Sequence, residues 1–327
     1  MTSNFVKAAI RCNRPSRVLV LLLLVATLSR PDRLFALPSN NENESSDATY
    51  HSTVSEVRLV FFATDEHNHN VQQLQKDDFA IVDDERVIRE FRSFTRSASI
   101  KLDVVVMIDS SESVLPHLQQ VTADVAQLIS RSPWNSGDLV SVMSFSGMEA
   151  HLICAETCRT SFRVDQVVPT GGATPLLDAV SLATTLLIHC RQQDVWPVIL
   201  LFSDGDDTIS KTSFRHVREK ILESGTQIYA IDVGNSKRLS NGTATLQRLA
   251  DDSGGRYVGL ADGPVKILND VMDDLHSGLL VTYLLPKSSS EFHSIRILPT
   301  HNLNLQFRCR RGYYSHRFGS ARQEDGP

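Results

Sequence analysis

The chain has 327 residues, 41% of them hydrophobic and 22% charged, with a net charge of −5. These values describe a globular protein with enough apolar mass for one large or two ordinary domains. They exclude a disordered or disulfide-scaffolded chain, because only five cysteines occur.

Lys7, Arg11, Arg14 and Arg17 precede the 11-residue apolar run Val18 to Leu28. That run suits the apolar region of a secretory signal and falls short of the roughly 20 residues needed to span a bilayer. We read residues 1–36 as a signal peptide with cleavage after Ala36. The alternative is an uncleaved signal anchor, the one case in which a membrane association is expected. Removing these residues leaves 27 basic against 37 acidic residues, a net −10. So acidic a protein is a poor partner for nucleic acid or anionic lipid. The expected location is exported: periplasmic, cell-envelope or secreted.

Residues 37–52 are polar and aperiodic and read as a linker. A β-rich segment follows over 53–98, with strand-like runs at Val57 to Ala63, in LQKDDFAIVDD and in RVIREFRSF. His67 and His69 lie in the turn between the first two; an x-His-x-His pair can bind transition metals, but exposed turn polarity explains it more cheaply.

From residue 100 to 277 the pattern alternates strand and helix. The first strand, LDVVVMID, ends at Asp109, and helical spacing of Leu118, Val121, Val125, Leu128 and Ile129 follows, with Pro116 near the helix start. Further strands are read at Asp138 to Phe145, Val195 to Phe202, Gly225 to Val233 and Arg256 to Leu260. Helices fall at Pro175 to Ile188, Ser213 to Glu223, Thr243 to Asp252 and Val265 to His276. Strands apolar on both faces, separated by amphipathic helices, predict an α/β domain with a doubly wound, mostly parallel sheet and helices on both faces. Ligands in such folds bind at the C-terminal strand ends.

Residues 278–318 return to β texture, with runs at Leu279 to Leu285, Phe292 to Leu298 and Leu305 to Tyr314, before a tail at 319–327. Neither terminal β segment is large enough to bury a good core alone, so 278–318 is expected to pair with 53–98 in a small β-sandwich, with the α/β domain inserted between them. Cys154 and Cys158 form a local pair that can close a small disulfide; zinc through C-x₃-C is the sharper alternative but lacks a second ligand pair nearby.

The chemistry concentrates on one predicted rim. Asp109 ends a strand and Ser111 and Ser113 follow it, a D-x-S-x-S spacing that gathers hard oxygen donors suited to a small divalent cation. The loop PTGGATP brings Thr174 to a helix entrance, with Gly171 and Gly172 allowing close backbone approach. Asp204 ends its own apolar strand in VILLFSDG.

In that order, DSSES, TGGATPLLDA and VILLFSDG resemble the three segments of the metal-ion-dependent adhesion site of von Willebrand factor type A domains. The flanks KDDFAIVDDERVIREF and FRCRRGYY resemble those of exported bacterial proteins carrying this domain. The resemblance implies Ser111, Ser113 and Thr174 as hydroxyl ligands, with Asp109 and Asp204 reaching the ion directly or through water. It implies Mg²⁺, or Mn²⁺ or Ca²⁺, as the cation, and a partner protein whose Asp or Glu carboxylate fills the open position. A small-molecule substrate is not expected. Glu112 can bind the ion, cap it or face solvent, and solvent is preferred. Asp206 and Asp207 raise the same question, or start the following helix.

Two other functions are weighed. A hydrolase with Asp109 as nucleophile would want D-x-D, and Ser111 holds the second place; no G-x-S-x-G or P-loop is evident. A structural envelope subunit with a vestigial site is the other. The expectation is therefore a binding module rather than an enzyme.

Overall fold

In the computed structural model the described residues are 56–71, 73–96, 100–189, 195–234, 240–259, 264–286 and 291–315. The expected signal peptide, the linker and the tail lie outside them, as does Cys190.

The α/β part is built on a six-stranded sheet. Its strands are β5 (Lys101–Asp109), β6 (Leu139–Ser146), β7 (Glu149–Cys154), β8 (Val195–Ser203), β9 (Gln227–Asp232) and β10 (Arg256–Gly259). They run in the order β10-β9-β8-β5-β6-β7, parallel except for β6 with β7. The chain leaves β5 toward β6, then returns to build β8, β9 and β10 on the other side. The switch point therefore falls between β5 and β8, where an open parallel sheet leaves a crevice at its carboxyl edge.

Residues 102–109 of β5 are all buried, because both faces are covered. Val104, Val106 and Ile108 pack with α1 (Leu115–Arg131) and α6 (Pro264–Ser277). Val105 and Met107 face α3 (Leu176–His189), α4 (Phe214–Ser224) and α5 (Asn241–Ser253). The helix ends follow local chemistry. Ser213 caps α4 by accepting from His216 N at 3.3 Å and Ser240 caps α5 by accepting from Thr243 N at 3.0 Å. Gly225 and Gly254, with φ of 69° and 76°, close the same two helices in the left-handed conformation that glycine adopts without strain.

The flanks pair with each other across the inserted domain. β1 (Glu56–Thr64), β4 (Ser93–Arg96), β11 (Leu279–Leu284) and β13 (Gln306–Cys309) form one antiparallel sheet in the order β13-β1-β11-β4. β2 (Phe79–Asp83), β3 (Arg86–Ile88), β12 (Phe292–Pro299) and β14 (Gly312–Tyr314) form the other, in the order β14-β12-β2-β3. Val57, Leu59 and Phe61 point into the sandwich core with Phe79, Ile81 and Val281. The alternate residues Val60 and Phe62 turn to the α/β core, where the Phe62 ring lies 6.1 Å from Trp196. One strand with period-two alternation thus serves two cores.

Three readings change. Gly147 to Arg159, to which no element is assigned on the sequence, is mostly the edge strand β7 and the short helix α2 (Cys158–Ser161), because Gly147 at φ 60° turns the chain straight back on β6. RVIREFRSF and LQFRCRRGYY each divide into two strands placed in opposite sheets of the sandwich. In the second, Arg310 and Arg311 separate β13 from β14 and reach the α/β domain, through the Leu222 carbonyl and the Asp252 carbonyl and carboxylate.

Candidate metal centre

β5 and β8 are in parallel register, Ile108 opposite Phe202. The next residues, Asp109 and Ser203, therefore leave the sheet side by side. Asp109 is fully buried. Its Oδ1 accepts from Ser111 N at 2.9 Å and its Oδ2 accepts from the Ser203 hydroxyl at 2.6 Å. Desolvation pushes its pKa up to about 6, with the neighbouring Asp204 adding to the rise and the Ser111 and Ser203 hydrogen bonds opposing it. The neutral donors of two serines, Ser111 and Ser203, leave this carboxylate under-compensated.

Around it the loops are fastened to one another. Ser111 Oγ and Ser113 Oγ lie 3.3 Å apart. Gly171 N donates to Ser110 O at 3.3 Å and Glu112 N to Gly172 O at 3.2 Å, tying the PTGGATP loop to the DSSES turn. The Ser110 hydroxyl donates to Ser146 Oγ at 3.1 Å, and Ser146 in turn bonds Thr170. Thr174 N donates to the Thr208 hydroxyl at 2.7 Å and Thr208 N to Thr174 O at 2.9 Å, which joins the same loop to the one after Asp204. Thr174 is 3% exposed, and its own hydroxyl makes no hydrogen bond among the described residues.

Gly171 and Gly172 serve a different purpose from the one expected. A Cβ at Gly171 would meet nothing within 4 Å and one at Gly172 only Gly147 Cα at 3.9 Å; what requires glycine is φ of 66° and 78°. Close approach occurs instead at Gly205 and Gly242. There a Cβ on either residue would strike the other loop's backbone, so the start of α5 packs directly under Asp204.

All five residues singled out on the sequence lie at this one edge, Asp109 as the last residue of β5 and Ser111, Ser113, Thr174 and Asp204 on the loops beyond the strands. Glu112 is exposed beside them. Asp206 and Asp207 do not start α4. Asp206 N donates to Asp204 Oδ1 at 3.2 Å, and Asp207 Oδ1 accepts from Leu177 N at 3.4 Å in the first turn of α3, where a carboxylate meets the helix dipole. Ser203 was overlooked. Its signal is the register: a serine immediately before the strand-terminal Asp204 must stand beside Asp109.

Other cysteine and histidine candidates fall away from the rim. Cys154 and Cys158 are bonded to each other with Cα atoms 5.5 Å apart, closing the end of β7 onto α2. Asp65 Oδ1 accepts from both His67 N and His69 N at 2.8 Å, an exposed turn. A cluster of a different kind sits in the sandwich, where Asp83, Asp84 and His293 place ligand-type atoms within 4.8 Å of one another. Nothing in the local sequence marks it, since His293 is 210 residues from Asp83.

The donor set at the rim fits a hard divalent cation. It consists of hydroxyl and carboxylate oxygens without thiol or imidazole, around a buried carboxylate short of positive charge. Residues 104–206 match the family described as von Willebrand factor type A domain. The chain carries a von Willebrand factor type A domain. Among curated proteins it is 24% identical over 188 residues to the magnesium-chelatase 60 kDa subunit of Cereibacter sphaeroides, a match covering 54% of this chain and 33% of that protein. The chain thus spans about a third of the length of this relative. Among solved structures it is similar to an aerotolerance-related membrane protein from Bacteroides fragilis, at 18% identity and TM-score 0.45, covering 53% of this chain and 98% of that one. It is also similar to proximal thread matrix protein 1 from the mussel byssus, solved with a zinc-occupied metal-ion-dependent adhesion site. That likeness has 17% identity and TM-score 0.46, covering 60% of this chain and 50% of that one. Among the described residues of the type A domain and its flanks, no helix is long and apolar enough to cross a membrane.

Proposed function

We propose that the type A domain, residues 100–277, is an exported protein-binding module. Asp109, Ser111, Ser113, Thr174 and Asp204 hold a divalent cation, Mg²⁺ or in its place Mn²⁺ or Ca²⁺, whose open position accepts an Asp or Glu carboxylate of a partner protein. The flanks 53–98 and 278–318 form the base that carries the module. The observation that supports this most is the buried Asp109 carboxylate met only by the neutral donors of Ser111 and Ser203. A dication beside two acids satisfies that charge and leaves a site that attracts a third carboxylate.

The cation, when bound, supplies electrostatic attraction for the partner's carboxylate. The chain's own residues do the rest. Ser203 and the Ser111 N–H orient Asp109, the glycine turn sets the height of Thr174, and Thr208 locks the Asp204 loop against it. A nucleophilic role for Asp109 is disfavoured by the hydroxyl of Ser111 at the place where a D-x-D nucleophile would need its second acid.

Affinity capture of envelope and secreted proteins on the purified chain tests the proposal. A partner held in Mg²⁺, released by chelator and not captured by Thr174→Ala is expected. Capture indifferent to chelator would overturn it.

A further inference from the structure

Four exposed apolar side chains stand at the rim: Met148 at 70%, Val168 at 60% and Ile209 at 38% exposure on its loops, and Leu115 at 37% as the first residue of α1. Backbone bonds fix them there. Gly147 N, one residue before Met148, donates to Ala173 O at 2.7 Å, Ile209 N lies 3.4 Å from Thr174 O, and Leu115 N donates to Ser111 O at 3.2 Å. Val168 comes two residues before Thr170, whose hydroxyl bonds Ser146. A single exposed apolar residue is ordinary, whereas four framing one site form a surface that a bound partner would cover.

The same loops are acidic. Glu112, Asp206 and Asp207 are exposed, in addition to Asp109 and Asp204. A dication neutralises the inner pair and leaves Glu112 and Asp206 uncompensated, while Asp207 is met by the first turn of α3. One carboxylate is therefore drawn to the ion at contact distance, while a second acid a few ångströms away meets only like charge, within the roughly 10 Å over which salt leaves such repulsion unscreened.

Resting on the cation reading above, we infer that the partner presents a solitary carboxylate set among apolar side chains, which settle on Met148, Val168, Ile209 and Leu115, and that poly-acidic ligands are rejected. The contact is with a protein loop rather than a nucleic acid or polyanion.

The test is a phage-displayed, disulfide-closed loop library with one fixed Asp and three random positions on either side, selected on the immobilised full chain in Mn²⁺ and in chelator. Apolar residues are expected to be enriched about tenfold beside the Asp and second acids depleted to a similar degree, since burying one apolar side chain is worth about a decade in affinity. Met148→Ser with Ile209→Ser should reduce the apolar enrichment at least about threefold by removing that contact area, and Glu112→Gln with Asp206→Asn should relax the depletion of acids. Absence of apolar preference, enrichment of acids, or equal selection in chelator would overturn the inference. Mn²⁺ binding by calorimetry separates the two readings: a chain that binds Mn²⁺ but shows no apolar preference refutes the partner chemistry alone, and one that binds no Mn²⁺ refutes the cation reading.

Discussion

The rim of the type A domain and the core of the sandwich each bury an aspartate among hydroxyls, and they neutralise it in opposite ways. Asp83 is 1% exposed. Its Oδ2 accepts from the hydroxyls of Tyr283 at 2.9 Å and Tyr313 at 2.7 Å, and its Oδ1 lies 2.9 Å from His293 Nδ1. A carboxylate only accepts, so Nδ1 carries the proton, which Asp84 Oδ2 approaches to 3.2 Å. Burial, and then the Asp83 carboxylate, push both tyrosine hydroxyls above the ordinary phenol range, and so they remain donors. Asp83 draws its three donors from three other strands, whereas those of Asp109 come from Ser111, two residues on, and Ser203, and desolvation pushes its carboxyl up to about 6. The difference separates a girder from a receptor: a carboxylate held from three strands binds β2, β11, β12 and β14 together, and an under-compensated one remains available to a cation.

Breaking the girder should have the largest effect. Asp83→Asn removes one partner from a buried charge-assisted network, and a loss of about 3 kcal/mol is expected. Thermal melts should show the same drop in Mg²⁺ and in chelator. A drop that appears only in Mg²⁺ would erase the distinction, because it would place the cation in the sandwich.

Asp103 sharpens the comparison from the same strand as Asp109. It lies at the opposite end of β5, 6% exposed, and its carboxylate has no hydrogen bond among the described residues. Desolvation, with a smaller contribution from Glu156, pushes it up to about 7. A carboxyl whose folded pKa is raised costs nothing below its unfolded pKa, destabilises the fold increasingly as pH rises from about 4 to about 7, and costs no more above that. Asp103→Asn should therefore be neutral below about pH 4 and stabilising by up to about 4 kcal/mol above about pH 7, as read from denaturant midpoints across that range. A gain that is constant with pH would show that Asp103 is not desolvated.

How much of this was readable without coordinates differs between the two regions for a physical reason. Asp109 and Asp204 announce themselves because an uninterrupted apolar run must be a buried strand, and an acid at its end must emerge at a sheet edge. The sandwich network is invisible locally, since Asp83, Tyr283, His293 and Tyr313 meet only after strands far apart in sequence pair. Edge strand β7 was also missed. With alternate residues exposed, it carries a polar pattern that reads as loop until Gly147 turns it onto β6. The role of Gly171 and Gly172 was misread because composition does not distinguish a need for positive φ from a need for space.

A smaller effect is expected at Ser203. Ser203→Ala leaves Asp109 held by Ser111 alone and frees it to rotate, which should weaken cation binding by about tenfold, the usual cost of losing a group that orients a ligand. Calorimetry against Mn²⁺ measures this. An unchanged affinity would mean that the register between β5 and β8, rather than the hydroxyl, positions the carboxylate.

The most direct measurement is the Mn²⁺ titration of the full chain beside its Asp109→Asn, Thr174→Ala and Asp84→Asn variants. One cation per chain is expected, lost in Asp109→Asn, weakened at least about tenfold in Thr174→Ala and unaffected in Asp84→Asn. Binding that survives both rim substitutions and disappears with Asp84→Asn would contradict the account, because the cation would then belong to the sandwich cluster and the rim would hold none.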